Sequence, residues 1–344
     1  MFLKKEFSIV AALVLSGVFA FSGSGAEENG KLLRYKLTAG DKFLCVSETS
    51  QTIDQTVQEQ EMHIETFVNV ETFVNVDKVA DDGTATLRLS YGNMRQVMNM
   101  MGQEIVIDTA KPDVVETGEP LSPQEEQAKL MNDILKAVLE IELVVELKPT
   151  GESVVVGGIE QFQQVMSDEL AKIDPQMAGA MSQFMDQVMT GMTDSSIEGM
   201  FFTYPQKSVK VGGSWTNAAS FGDAQFPIDI DLTYTCKSIE ADNMKVAVKG
   251  KMDMGNTEDG AKVIEMDGMK MNFLMAGLVD GYCNIDLETG LASESFTEHS
   301  FDGSIKMEIP VPAQDGGEPQ IQTMNIPMDI KGTTMMKITK IAAE

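Results

Sequence analysis

The feature that most constrains this chain is a strict alternation of apolar and polar residues. Residues 139–147 read LEIELVVEL, with an apolar side chain at every odd position. A period of two places one set of side chains on a buried face and the other set in water. Pro149-Thr150-Gly151 then supplies a turn into the three valines 154–156. The sequence therefore predicts a β-hairpin here.

The same alternation recurs in later segments that are separated by short turns. These segments are 228–236, 244–252, 283–287 and 305–309. Antiparallel strands with one face to water explain this pattern better than parallel strands, which are apolar on both faces. We therefore predict a protein of the α+β class, with a mainly antiparallel curved sheet or half-barrel.

Helical patterns lie between the strand-rich parts. Ser122-Pro123 with Glu125 is a typical helix start, and an apolar stripe follows it to residue 138. Further stripes, with a second start at Asp174-Pro175, run through residues 159–202. We predict that these amphipathic helices cover the sheet.

The domain organisation predicted from these patterns is one large β-rich domain, with possible related halves. Residues 37–43 and 209–215 each place a glycine turn three residues before an aromatic residue, and strand-like sequence follows both. The predicted ranges are 27–344 for the domain, 31–157 and 205–344 for the halves, and 158–204 for the helical block between them.

The first residues have the pattern of a secretory leader. Lys4 and Lys5 precede an apolar run from Phe7 to Phe21, and Ser24-Gly25-Ala26 follows. This predicts a signal peptide over residues 1–26 and a periplasmic or secreted protein that does not span the membrane after cleavage. No cysteine lies near the cleavage point, so we predict no lipoprotein attachment site. A retained membrane anchor is the alternative.

The chain is strongly acidic, with a formal net charge of −27. Such a field repels phosphate backbones, and nucleic-acid binding needs clustered Lys and Arg. We therefore predict no nucleic-acid partner.

Four short segments carry a family resemblance. They are Tyr35–Asp41, Glu146–Gly157, Pro205–Trp215 and Ile285–Leu291. In these segments the chain resembles a family of exported bacterial proteins with no assigned function, although Gly213 stands where such proteins often carry an acid. A curved sheet with helices over one side also resembles the periplasmic lipoprotein-carrier fold, whose concave face holds acyl chains.

The sequence shows no motif of a known catalytic site. His63 and His299 are the two histidines, and neither lies in a triad-like or metal-ligand arrangement. The alternation already explains the carboxylates, because it places them on the solvent-facing sides of strands. We therefore predict no catalytic residue, no metal site and no cofactor.

Methionine is unusually frequent, with 26 residues in the chain. A run of them recurs every four residues along one predicted helix. Such a stripe fits an ordinary core, a soft apolar ligand surface or a Cu(I) site. The candidate ligand-binding residues are Met177, Met181, Phe184, Met185, Val188 and Met189.

The three cysteines allow at most one internal disulfide. Cys236 and Cys283 both lie on the apolar phase of their predicted strands, so a disulfide between them is one possibility. Buried free thiols are the alternative.

These observations lead to three functional hypotheses. The first is an exported, non-enzymatic binding protein that holds an apolar small molecule or lipid between the sheet and the methionine-rich helix. The second is an envelope protein that presents its acidic sheet face to partners and has no ligand cavity. The third is a carboxylate-dependent hydrolase.

Overall fold

The computed structural model describes most of the strand-rich sequence. Its continuous ranges are 30–57, 60–100, 102–110, 141–162, 201–221, 228–254, 269–311 and 320–342, with shorter pieces between 129 and 140, 164 and 168, and 256 and 266. All structural statements below concern these residues.

Fifteen strands are described. They are β1 (Lys42–Val57), β2 (Gln60–Val79), β3 (Ala85–Met100), β4 (Gln103–Asp108), β5 (Glu142–Leu147), β6 (Ser153–Gly157), β7 (Ser214–Phe221), β8 (Ile228–Glu240), β9 (Asn243–Met254), β10 (Asn256–Thr257), β11 (Gly260–Ala261), β12 (Ile264–Met266), β13 (Met269–Asp286), β14 (Ala292–Val311) and β15 (Gln320–Ile341). The predicted hairpin is confirmed as β5 and β6, although residues 139–141 precede the strand.

Thirteen strands form one antiparallel sheet. Its order is β6-β5-β3-β2-β1-β15-β14-β13-β9-β8-β7, with β4 added beside β3 and β12 beside β13. Most neighbours in the sheet are close in sequence, although β5 pairs with β3 and β13 pairs with β9. The long-range pairing is that of the last strand, β15, which lies between β14 and the first strand, β1. The prediction of a mainly antiparallel, curved sheet is confirmed, and the sheet is open.

The α+β class and the covering layer of amphipathic helices are not supported. Among the described residues, helix occurs within 129–139 and 159–168. The predicted helical block also ends too late, because Phe201, Phe202 and Tyr204 are not helical and are buried. Pro205 follows them and cannot donate a helical hydrogen bond. The predicted stripe over 177–192 lies outside the described residues.

Two parts of the chain share the same local architecture. We call β1–β6 the first repeat and β7–β14 the second repeat. β1 and β7 each follow a turn with a glycine at positive φ, Gly40 at 91° and Gly212 at 80°. Each glycine N–H donates to a carbonyl of the next strand, Val76 on β2 and Cys236 on β8, both at 2.8 Å. The domain boundaries themselves remain a prediction.

The repeats dock on each other reciprocally. The segment before β1 meets the turn between β13 and β14, where the Lys36 N–H donates to the Thr289 carbonyl at 2.8 Å. The segment before β7 meets the turn between β5 and β6, where the Tyr204 N–H donates to the Thr150 carbonyl at 2.7 Å. Each segment therefore fixes the other repeat's turn in place.

The main core lies around these contacts. Tyr35 and Tyr204 have ring centroids 5.1 Å apart, and Trp215 stacks on Tyr234 at 5.2 Å. All four rings are buried. The helical residues after β6 also contact this core through Phe162 and two neighbours on the same stripe.

Candidate functional site

A band of polar side chains crosses the buried face of the sheet. Residues paired across antiparallel strands point to the same face, so Thr66 on β2, Gln51 on β1, Gly332 on β15 and His299 on β14 form one row. A parallel row lies beside it. We call both rows the polar belt, which comprises Thr66, Gln51, His299, Gln96, Thr49, Thr334 and Thr297.

Three polar atoms of the belt have no hydrogen-bond partner. They are Gln51 Nε2, Thr66 Oγ1 and His299 Nε2. Gln51 is 6% exposed and Thr66 is 5% exposed, so water does not readily satisfy them. Burying a polar group without a partner costs about 1–3 kcal/mol. The protein itself therefore leaves three neighbouring polar atoms of this row without a hydrogen-bond partner.

His299 is held in a fixed position within this row. Its ring stacks on Phe301 with 5.3 Å between ring centroids. It also lies over Gly332, where a Cβ would come within 2.5 Å of His299 Nε2. Burial lowers the pKa of His299, so the imidazole is neutral at neutral pH. The belt therefore consists of uncharged donors and acceptors.

Beyond the belt, the same face is apolar and rich in methionine. The next row is Ile64, Ile53, Ile330 and Phe301 across four strands. Further along β13, β14 and β15 lie Met275 and Met328, and then a second core cluster with buried Met271 and Met307. We call the residues Met271, Met275, Met307, Met324 and Met328 the methionine field.

The belt and the field together form an amphipathic surface. His299 and Met307 are eight residues apart on β14, which corresponds to about 27 Å along a strand. Thioether side chains are flexible and adapt to apolar partners of varied shape. A ligand with a polar end and a long apolar part would match both regions at once.

The opposite, solvent-facing side carries a groove of about 760 Å³. It crosses the sheet over the backbone of the belt row. Its lining includes Glu65, Phe67, Leu278, Asp280, Glu298 and Lys331. The ammonium group of Lys331 is 2.8 Å from Asp329, so acidic groups dominate this surface.

The predicted disulfide is wrong. Cys236 and Cys283 are free thiols, and Val246 on β9 pairs with both of them, so a whole strand separates them. Two strand spacings are about 9.6 Å, which exceeds the reach of a disulfide. Burial raises the pKa of Cys283, like that of Cys45, to about 12, so neither thiol is a nucleophile at neutral pH.

The candidate ligand residues predicted from sequence cannot be compared with the belt. Met177, Met181, Phe184, Met185, Val188 and Met189 lie outside the described residues. The sequence analysis missed Gln51 and Thr66. Both residues are polar at positions of β1 and β2 that the alternation assigns to the buried face. In the sequence, such residues interrupt the alternation and so obscure the strands.

The two histidines give a prediction about pH. Burial lowers the pKa of His299, so its contribution to stability is present above the ordinary value of 6.5 and is lost as the pH falls below it. We expect the melting temperature of wild type to fall more between roughly pH 7.5 and 5.5 than that of His299→Gln.

The matched control is His63, whose shift has the opposite sign. Asp54 Oδ1 lies 2.7 Å from the Nδ1 of His63. This hydrogen bond, with a second one that His63 donates to the Glu65 carboxylate, raises the pKa of His63. Its contribution is present at low pH and is lost as the pH rises. His63→Gln should therefore steepen the loss of stability on acidification. Identical pH profiles for wild type and His299→Gln would contradict the neutral, buried assignment.

Comparison with known proteins identifies a family. The model of a family of unknown function, DUF6263, matches residues 82–292, which is more than half of the chain. The protein belongs to the DUF6263 family. The resemblance noted in its short turn segments is thereby confirmed as membership of an uncharacterised family. No curated protein matches the DUF6263 chain.

The comparison with solved structures gives matches of very low identity and low TM-score. A structure described as lipid–protein interactions in lipovitellin is 8% identical with a TM-score of 0.42, over 89% of this chain and 26% of that one. The OccK7 (OpdD) structure from Pseudomonas aeruginosa is 7% identical with a TM-score of 0.21, over 88% of this chain and 100% of that one. The DUF6263 chain thus spans about a quarter of the length of the lipovitellin structure.

Two further kinds of feature are absent from the described residues. No group of three or more His, Cys, Asp or Glu side chains in this part of the chain is arranged to hold a metal ion. Within the same residues, no helix of the DUF6263 chain has the length and apolar character needed to cross a membrane.

Proposed function

We propose that this is an exported binding protein that holds an amphipathic, lipid-like ligand against the buried face of its sheet. The observation that carries the proposal is the row of unpartnered polar atoms of Thr66, Gln51 and His299 beside an apolar, methionine-rich surface. The polar end of the ligand would bind the polar belt. Its apolar part would lie along the isoleucine row and the methionine field.

The belt favours an uncharged head group. Gln51 Nε2 is a donor, and the Thr66 hydroxyl and the neutral His299 ring both donate or accept. No belt residue carries a positive charge at neutral pH, so a phosphate or carboxylate would be buried without a counter-charge, at a cost of several kcal/mol. The net charge of −27 adds a long-range repulsion of anions. Esters and hydroxyls, as in acylglycerols, fit these groups.

The apolar surface has the length that a fatty acyl chain requires. The stretch of about 27 Å from His299 to Met307 exceeds the ~15 Å that the chains of one bilayer leaflet occupy. Dispersion and burial of apolar area would supply most of the affinity, at about 25 cal/mol per Å². The head group would then fix the position of the ligand along the strands.

Calorimetric titration of the delipidated protein tests this proposal. We expect saturable binding of 1-oleoylglycerol, and binding at least about tenfold weaker of an oleoyl lysophospholipid that has the same acyl chain and an anionic head group. Saturable binding of neither probe, or equal binding of both, would contradict the proposed site.

Export is a separate part of the proposal, supported by the pattern of residues 1–26. N-terminal sequencing of the protein from its native host should begin at Glu27. A mature protein that begins at Met1 would contradict it.

The groove on the solvent-facing side favours a second candidate function, in which the acidic face docks a basic partner. Glu65, Glu298 and Asp280 line this groove, and the ammonium of Lys249 is 2.7 Å from Asp280. Such docking would weaken steeply as salt screens the charges. It requires no ligand on the buried face, so the calorimetric titration separates the two functions.

A further inference from the structure

The two repeats meet at two seams, and only one of them contains a strand among the described residues. At the first seam, β15 lies between β1 of the first repeat and β14 of the second, antiparallel to both. The second seam is bounded by β6 of the first repeat and β7 of the second, which are the two ends of the sheet order. Because β6 corresponds to β14 and β7 to β1, the second seam is the counterpart of the first.

The correspondence rests on register. β5 pairs with β3 as β13 pairs with β9, and β6 then pairs with β5 as β14 pairs with β13. β2 and β8 each carry a register shift at the same place, one residue after Val76 and one residue after Cys236. These are the residues that accept the hydrogen bonds from Gly40 and Gly212. The two repeats therefore match strand by strand.

The same kind of contact joins the two repeats at both seams, at the end of the sheet that carries the β5–β6 and β13–β14 turns. At the first seam, the Lys36 N–H donates to Thr289, and a Cβ on Gly290 would collide with the Arg34 carbonyl. At the second, the Tyr204 N–H donates to Thr150, and a Cβ on Gly151 would collide with the Phe202 carbonyl. The first seam is one strand wide.

β6 also resembles the edge strand of a sheet that can accept a further strand. Val154 and Val156 are 50% and 53% exposed, while Val155 between them is 9% exposed. Among the described residues, β6 pairs with β5 and β7 pairs with β8. Free strand edges that carry β-branched residues accept further strands.

We infer that the second seam binds an extended strand of a partner protein, which pairs antiparallel with β6 and β7 as β15 pairs with β14 and β1. The internal repeat supplies the orientation and the register of the bound strand. The second seam is thus a β-augmentation site that is separate from the lipid site proposed above.

Charge defines the chemistry of the partner strand. On the solvent-facing side, Glu146 pairs beside Val154, and Asp231 pairs beside Ala218 of β7. The strand that fills the first seam carries two lysines on this side, Lys331 and Lys337, and Lys337 pairs beside Glu294 of β14. The partner strand should therefore be basic on its outer face and apolar on its inner face.

Hydrogen–deuterium exchange of the full chain with a synthetic peptide tests the inference. The probe is a peptide with the sequence of Pro327–Ile341, which the repeat predicts to fit the second seam. We expect the amides of β6 and β7 to exchange fast in the free protein and to become protected when the peptide is added. A peptide with Lys331 and Lys337 replaced by glutamate should give no protection.

Variants of the edge make the test specific. Val154→Lys with Val156→Lys should weaken peptide binding by about fivefold to tenfold, because like charges opposite each other on neighbouring strands are destabilising and the outer face of the peptide is basic. Ile321→Lys, at an apolar residue that is 68% exposed far from the seam, is the matched control and should leave binding unchanged.

Three results would overturn the inference. Absence of protection at saturating peptide would show that the seam does not accept a strand. Slow exchange of β6 and β7 in the free, dilute protein would show that the chain covers its own edges. Protection of β6 that grows with protein concentration, without peptide, would assign the edge to a second copy of this chain.

Discussion

Replacing Gly290 by alanine should lower the free energy of unfolding by about 3 kcal/mol. Gly290 has φ 78°, and a Cβ would collide with the carbonyl oxygen of Arg34. Left-handed backbone costs an L-residue about 1–2 kcal/mol, and an added carbon in a packed site costs a further 1–3 kcal/mol. Gly151→Ala should lower the free energy of unfolding by a similar amount, because its Cβ would collide with the carbonyl of Phe202. Urea denaturation measures both.

Gly40→Ala is the matched control for both variants. Gly40 also has positive φ, at 91°, but no atom lies within 4 Å of its added Cβ. Only the backbone strain applies there, so we expect a loss of about 1 kcal/mol. Equal losses at Gly290, Gly151 and Gly40 would contradict the reciprocal docking of the two repeats.

Replacing Gln51 by leucine and Thr66 by valine should raise the free energy of unfolding of the delipidated protein by about 2 kcal/mol. Each native side chain buries a polar atom without a partner, and each such atom costs about 1–3 kcal/mol. The same double variant should bind 1-oleoylglycerol more than about tenfold more weakly, because the head group loses its hydrogen-bond partners. If Gln51 and Thr66 serve binding and not stability, the double variant should be more stable and should also bind 1-oleoylglycerol more weakly.

Thr49→Val is the matched control in the other row of the belt. The hydroxyl of Thr49 is 3.2 Å from the hydroxyl of Thr334, so this change breaks a hydrogen bond and should lower the free energy of unfolding by about 1 kcal/mol. A double variant at Gln51 and Thr66 that is less stable than wild type would indicate that these side chains have partners in the native protein.

The alternation in the sequence predicted the sheet well because it follows directly from burial on one face. The segments 228–236 and 283–287 alternate cleanly, and they lie in β8 and β13. β1 was harder to recognise. On its buried phase, Phe43 and Cys45 are followed by Thr49 and Gln51, and this polar stretch hides the strand from a pattern search.

The site itself could not be predicted from the sequence. The belt row joins Thr66, Gln51 and His299, which become neighbours through the pairing of β15 with both β1 and β14. That pairing brings the last strand into the middle of the sheet, and no local pattern specifies it. The methionine field has the same origin, since Met271, Met307 and Met324 come from three different strands.

The disulfide prediction failed for a related reason. Sequence phase correctly placed Cys236 and Cys283 on the buried face, but phase does not say how many strands lie between two residues. The insertion of β9 between β8 and β13 is a property of the strand order.

Native mass spectrometry of the protein purified from its host without detergent tests the central claim most directly. We expect discrete additional masses that match uncharged lipids, that disappear after extraction with organic solvent, and that are depleted in the double variant at Gln51 and Thr66. A bare polypeptide mass in repeated preparations of wild type, or bound lipids that persist unchanged in that double variant, would contradict it.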